Sequence, residues 1–167
     1  MHEWRPPRWR DLHEASRYRA GVTALGVADR VCFLGRIESD DLRRLTPVCD
    51  VGLIPYAAVD EMHRYCSPNK LFEFVTAGLP VIANDLPFLR DVIAGHDFGW
   101  LGDLQSKEAL AAMMTEAMAQ PGTLERYTEN ALVARRELCW EVEATKLGAL
   151  YDRIAAGPVR PPQLAAA

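Results

Sequence analysis

The chain has no apolar run approaching the roughly 18 residues that a membrane span requires, and its arginine-rich start has no apolar core of the kind a signal peptide carries. The sequence by itself therefore implies neither spanning nor export, and at most a peripheral association with a membrane. Cysteine is scarce: Cys32, Cys49, Cys66 and Cys139 stand far apart with no CxxC pair, which gives no zinc ribbon or disulfide framework. Two of them lie in apolar segments, where a free thiol packs as a small hydrophobe, and a reducing, cytoplasmic setting is expected. His2, His13, His63 and His96 show no ligand spacing with each other or with the cysteines, so no metal site is expected. The formal net charge of -4 gives no global case for nucleic acid as a partner.

Motifs are also missing. No GxGxxG follows a strand, GxxxxGK[ST] does not occur, and there is no GxSxG elbow, which removes the dehydrogenase, P-loop and serine-hydrolase readings. One basic cluster exists: Arg5, Arg8, Arg10, Arg17 and Arg19 crowd around Trp4, Trp9 and Tyr18. A phosphate-binding arm is one reading. Glu3, Asp11 and Glu14 interrupt the run, however, and a solvated helix face accounts for it better.

What is present fits one ordinary domain over residues 1–156, followed by a disordered tail over 157–167. The 167 residues are 49% hydrophobic, enough for a sizeable core. A helix is expected from Trp9 to Leu25, closed near Gly26, then a short buried strand Val31-Cys32-Phe33-Leu34 stopped by Gly35. Ser39 can cap the next helix, with Leu42, Leu45, Val48 and Cys49 as its inward stripe. Asp50 to Pro55 is a second strand, and Tyr56 to Cys66 has no period and reads as a loop. Ser67 then offers a cap and Pro68 the favoured first helical position, with Gly78 closing the helix before a strand at Pro80 to Ala83.

Further on, Pro87 opens a helix carrying Leu89, Val92 and Ile93 that Gly95 ends, and Gly99 to Gly102 is a fourth strand. Ser106 caps a helix whose stripe is Leu110, Met113, Met114, Ala117 and Met118. Pro121-Gly122 breaks it. Two helices follow, near Thr123 to Leu138 and near Trp140 to Ile154, the latter with Ala144, Leu147 and Tyr151 on one face. Strands alternating with helices imply parallel pairing through crossovers, hence an α/β fold: a three-layer α/β/α, doubly wound, Rossmann-like domain with a short parallel sheet. Ligands of such sheets bind beyond the carboxyl ends of the strands, which marks Gly35 to Glu38, Pro55 to Ser67 and Asn84 to Pro87 as the edge of a site.

Of these segments, the helix beginning near Ser67 carries the most chemistry. Its unpaired amides and partial positive charge suit a diphosphate. Lys70 adds a full charge, and Glu73, three residues on, shares its face and could accept hydrogen bonds from a ribose diol. The plainer reading makes Lys70 and Glu73 a surface ion pair and Ser67 an ordinary cap. Spacing alone favours the plainer reading.

Taken in order, Val31 to Gly35, Asp50 to Pro55, Ser67-Pro68-Asn69-Lys70-Leu71-Phe72-Glu73-Phe74 and Ala77-Gly78-Leu79-Pro80-Val81-Ile82-Ala83 resemble the C-terminal domain of family 4 glycosyltransferases, the glycosyl transferases group 1. The segment Trp140 to Tyr151 resembles the closing helix of that domain. The resemblance implies the C-terminal half of a GT-B fold, a nucleotide-diphosphate sugar as donor substrate, and hexosyl transfer with retention, without an obligatory metal or other cofactor. It also implies residue roles. Glu73 would hold the ribose hydroxyls, Ser67, Asn69, Lys70 and Leu71 would surround the diphosphate and sugar, and Gly35, Arg36 and Ile37 would line the base. Lys70 with the Asn69, Lys70 and Leu71 amides would stabilise the charge that grows on the leaving diphosphate.

The chain departs from the family pattern in two ways. Many members carry a glutamate eight positions before the one matching Glu73, where Tyr65 stands here, and Glu61 does not match the spacing. An acceptor-binding domain and the first strands of the donor domain are also expected of a complete enzyme, so the sheet should present an open edge and the acceptor domain should belong to a preceding segment or a separate subunit. A non-catalytic α/β interaction module, an inactive gene fragment and a sugar-nucleotide epimerase are the alternatives.

Overall fold

The computed structural model describes residues 8–157, in two compact units that divide between Glu38 and Ser39. The proposed tail, Gly157 apart, and Trp4 and Arg5 of the basic cluster lie outside the described residues, as do the side chains of Arg8, Trp9 and Arg10.

In the first unit, α1 runs over Arg8–Ala24. It ends as its glycine foretells: Gly26 takes φ +66, Gly26 N–H donates to the Thr23 carbonyl and Val27 N–H to that of Val22, the paired bonds of a Schellman close. Arg17 and Arg19 are exposed. The Arg17 guanidinium lies 5.7 Å from the Tyr18 ring centre, and that of Arg19 lies 4.6 Å from the Phe33 ring centre, so these arginines lean on aromatics of their own unit. After a 3-10 turn at Ala28–Arg30 comes the first correction. Val31 to Leu34 joins no sheet among the described residues, and Val31 and Leu34 are 40% and 55% exposed. A run of four apolar residues becomes a strand only when a neighbour supplies the ladder.

The second unit carries the sheet. Strands β1 (Gly52–Ile54), β2 (Val81–Asn84) and β3 (Gly99–Gly102) are parallel and lie in the order β1-β2-β3. Gly52 is level with Val81, and Val81 with Gly99. Among the described residues β1 and β3 are the two edges of the sheet. Helices α4 (Asn69–Thr76) and α5 (Pro87–His96) make the two crossovers. With strands added in one direction and right-handed crossovers, both helices fall on the same face. Packing agrees: Ile54, Val81 and Ala83 share a core with Leu71 and Val75 of α4 and Leu89 and Ile93 of α5. The alternate residues Leu53, Ile82 and Trp100 meet Leu110, Met113 and Ala117 of α6 (Lys107–Ala119) on the other face. Helix α7 (Pro121–Ala134) gives Ala131 and Ala134 to the first core and Leu124 and Tyr127 to the second. The three-layer parallel α/β arrangement is as expected.

Close approach explains two glycines. A Cβ on Gly52 would stand 2.4 Å from the Phe74 ring, so the bare strand lets α4 settle against β1. Gly78, at φ +75, closes α4 and would meet Leu132 of α7 at 2.5 Å.

Several expectations about faces need correction. Helix α2 spans only Ser39–Leu45, and Pro47 tightens the chain into a 3-10 turn over Thr46–Val48. That turn rotates Val48 and Cys49 off the 3.6-residue stripe and into solvent. Thr46 is buried instead, its hydroxyl donating to the Leu42 carbonyl at 2.8 Å. Cys32 and Cys49 are exposed and Cys66 and Cys139 half-buried, so none packs as a core hydrophobe. Met114 and Met118 lie outside the stripe α6 buries. Helix α8 (Trp140–Ala156) buries no residue, leaving Leu147 and Tyr151 exposed. Helix α5 runs past Gly95 to His96 and is closed by Asp97, in the left-handed region at φ 51. Asn130 Nδ2 donates to the Asp97 carbonyl at 2.7 Å and Arg126 pairs with its carboxylate, which fixes that conformation.

Candidate functional site

All three strands point their carboxyl ends to one edge of the sheet, where the chain leaves β1 at Pro55, β2 at Asp85 and β3 at Asp103. The segment after β1 is a loop with one short helix, α3 (Glu61–Arg64). Asp60 caps it by accepting from His63 N–H at 2.8 Å, with His63 Nδ1 at 2.7 Å. These contacts, the backbone hydrogen bond first, hold the Asp60 carboxyl below the usual carboxylate range.

Helix α4 follows, and its start differs from the expected one. Pro68 is the cap, buried and extended at φ -75 and ψ 132, and the helix begins at Asn69 with no side chain closing its first turn. Ser67 is therefore not the cap. A residue before proline is driven to extended backbone, and the proline ring, buried here, itself makes the entry. Leu71 N–H donates to the Pro68 carbonyl at 3.1 Å, so the Leu71 amide is engaged and its side chain lies in the core. Among the described residues no group accepts from the N–H of Asn69 or Lys70. The diphosphate reading thus narrows from three amides to two.

Lys70 and Glu73 are exposed, on the side of α4 away from Leu71 and Val75. They form no ion pair with each other, and among the described residues neither pairs with any other charge. Elsewhere the same i, i+3 spacing does pair: Asp40 with Arg43, Asp41 with Arg44, Glu143 with Lys146. The plain surface-pair reading accordingly fails for Lys70 and Glu73.

Glu73 and Ser67 line one cavity of about 980 Å³, together with Thr46, Phe72, Phe88 and Trp140. Asn69, Lys70 and Leu71 do not line it, and Tyr65 is exposed outside it. Gly35, Arg36 and Ile37 belong to the first unit; Gly35 turns at φ +68, Arg36 is exposed and Ile37 half-buried. Thr46, Phe88 and Trp140 carried no spacing signal in the sequence, since they reach the cavity from three separate helical segments. Asn84 was flagged only by its place at a strand end, yet it is one of two buried polar residues among those described.

At the end of β2, Asp85 and Arg90 form a two-bond pair, Nε to Oδ1 at 2.6 Å and Nη2 to Oδ2 at 2.7 Å. The Arg90 hydrogen bond holds the Asp85 carboxyl low and raises the guanidinium. Among the described residues no three His, Cys, Asp or Glu side chains are grouped to hold a metal ion, and no helix is long and apolar enough to cross a membrane.

Known proteins bear on this arrangement. The chain is 28% identical over 150 residues to a phosphatidyl-myo-inositol mannosyltransferase of Mycobacterium leprae, covering 85% of this chain and 36% of that protein. It is 28% identical over 144 residues to the lipopolysaccharide core biosynthesis mannosyltransferase LpcC of Rhizobium leguminosarum bv. viciae, covering 84% and 38%. Its structure resembles sucrose-phosphate synthase from Thermosynechococcus elongatus with a TM-score of 0.68 at 25% identity, over 86% of this chain and 35% of that one. The chain thus spans little more than a third of the length of these relatives, and the likeness bears out the expected half of a GT-B fold. The family model "Glycosyl transferases group 1" matches residues 11–133, and the chain belongs to that family.

Proposed function

We propose that this chain supplies the donor-binding half of a glycosyltransferase, holding a nucleotide-diphosphate sugar for retaining transfer of a hexosyl group to an acceptor. The observation that carries the reading is the state of α4: two open amides, an unpaired lysine and an unpaired carboxylate on one exposed side. The diphosphate sits at the Asn69 and Lys70 N–H groups and the Lys70 ammonium, where the helix start also favours anions. Glu73 accepts from the ribose hydroxyls, with Ser67 beside it on the cavity wall. As the bond between sugar and diphosphate breaks, charge grows on the departing oxygen, and the Lys70 ammonium with the two amides stabilises it. The acceptor is bound by a domain or subunit outside this chain. The two mannosyltransferases among its relatives make mannose the first sugar to try.

Isothermal titration against UDP-, GDP- and ADP-sugars tests the reading. Binding of one of them, weakened at least tenfold in Glu73→Ala at an unchanged melting temperature, supports it. A folded chain that binds none of the three sinks it.

A further inference from the structure

At the carboxyl end of the central strand stands Asn84, 4% exposed. Its Nδ2 donates to the Tyr56 carbonyl, in the segment that follows β1, and its Oδ1 accepts from Leu104 N–H at 2.5 Å, in the segment that follows β3. One partner is a carbonyl and the other an N–H, so the orientation of the amide is forced. A single side chain thus joins the connections of both outer strands at the middle of the sheet edge. Those partners are backbone groups, and each loses its hydrogen bond if the amide is removed.

What the amide holds matters more than what it is buried in. Tyr56 is the second residue after β1 and packs against the α4–α5 core. The chain from there to Pro68 crosses the sheet edge with one turn of helix capped by Asp60, and it delivers Ser67 and the start of α4. Ahead of the buried Pro68 this passage is steadied by the packing of Tyr56, the Asn84 bond, a Val59 N–H donation to the Ala57 carbonyl at 3.0 Å and one short helix.

We infer that Asn84 is a positioning residue for the donor site: by holding the Tyr56 carbonyl it sets the path of residues 57–67, and so the placing of Ser67 and the open amides of α4. The functional half of this inference rests on the donor-binding reading above. An aspartate is the informative replacement. Ionised, it still accepts from Leu104 N–H but sets an oxygen against the Tyr56 carbonyl; protonated, it can donate there again.

The test takes the whole chain, with Asn84→Ala and Asn84→Asp beside the wild type. Amide hydrogen exchange of the unliganded proteins should quicken about tenfold over residues 57–67, while β2 and α7 keep wild-type rates. Titration with GDP, UDP and ADP should show affinity lost about tenfold in both variants for whichever nucleotide the wild type binds, at matched folded fraction. In Asn84→Asp alone the loss should shrink as pH falls from about 8 to about 5, because burial and the facing Tyr56 carbonyl raise the carboxyl above its ordinary value. Exchange that quickens everywhere in proportion, or not at all, overturns the inference, and so does wild-type affinity in both variants. A wild type that binds none of the nucleotides, with the local exchange pattern intact, removes the donor reading and leaves the role in loop placement supported.

Discussion

Helices α4 and α6 both follow a strand at the same edge of one sheet, yet their first turns are finished differently. In α6 the Ser106 hydroxyl accepts from Ala109 N–H at 3.0 Å, so a side chain closes the turn. In α4 the corresponding position is Pro68, which has no side-chain acceptor to offer, and the next two amides stay open beside Lys70. Helix α5 starts without a side-chain cap as well, but the Asp85 carboxylate lies two residues ahead of it, an unfavourable neighbour for an anion. The difference teaches where an external acceptor is expected. A helix start left open, with a cation and without a carboxylate at its first turn, suits an anionic ligand; one closed by its own serine does not.

The harshest way to break this contrast is to loosen α4 itself. Leu71→Ala removes a fully buried side chain from the core and should cost about 2–5 kcal/mol, read by denaturant unfolding, with nucleotide binding lost alongside. Next comes Lys70→Ala, on the exposed side of the same helix. It should leave stability within about 0.5 kcal/mol and weaken diphosphate binding at least about tenfold by calorimetry; equal affinity in the variant would refute the assignment. Smaller again is the exchange of serines. Ser106→Ala should cost about 1 kcal/mol and leave nucleotide affinity alone, whereas Ser67→Ala, which removes no cap, should change stability by less than about 0.5 kcal/mol.

The smallest effect concerns a charged cap. Asp60 on α3 and Asp85 beside Arg90 both have carboxyls held below their ordinary value in the folded chain. A depressed folded value means stability that is present above the unfolded value and lost as pH falls through the folded one. Urea midpoints followed from about pH 6 down to about pH 2 should therefore fall less steeply in Asp60→Asn and Asp85→Asn than in the wild type. Ser106→Ala should leave that slope unchanged, since a hydroxyl cap does not titrate.

Much of the scaffold was legible because it depends on local rules. The apolar runs at β1, β2 and β3, the Ser106 cap and the glycine closes after α1 and α4 are found where the pattern puts them. What was not legible depends on partners. Val31 to Leu34 has strand composition but no ladder, and the α2 and α8 stripes have helical spacing but bury little or nothing. Periodicity states which residues share a face, not whether anything covers it. The candidate site divides in the same way. Lys70 and Glu73 could be picked out because both lie on one helix, while the cavity wall from Thr46, Phe88 and Trp140 could not. The cap was misassigned because both serine and proline are good at a helix start, and only the backbone shows which of the two turns the corner.

The contact between Trp100 and Tyr127 has a practical consequence. The indole is only 7% exposed and meets the phenol edge-on at 4.6 Å, between β3 and α7, whereas Trp140, on the wall of the cavity, is 69% exposed. Emission from the first should therefore be blue-shifted and that from the second red-shifted, so that one chain carries a spectroscopic gauge of its folded sheet and another of the cavity beside Glu73.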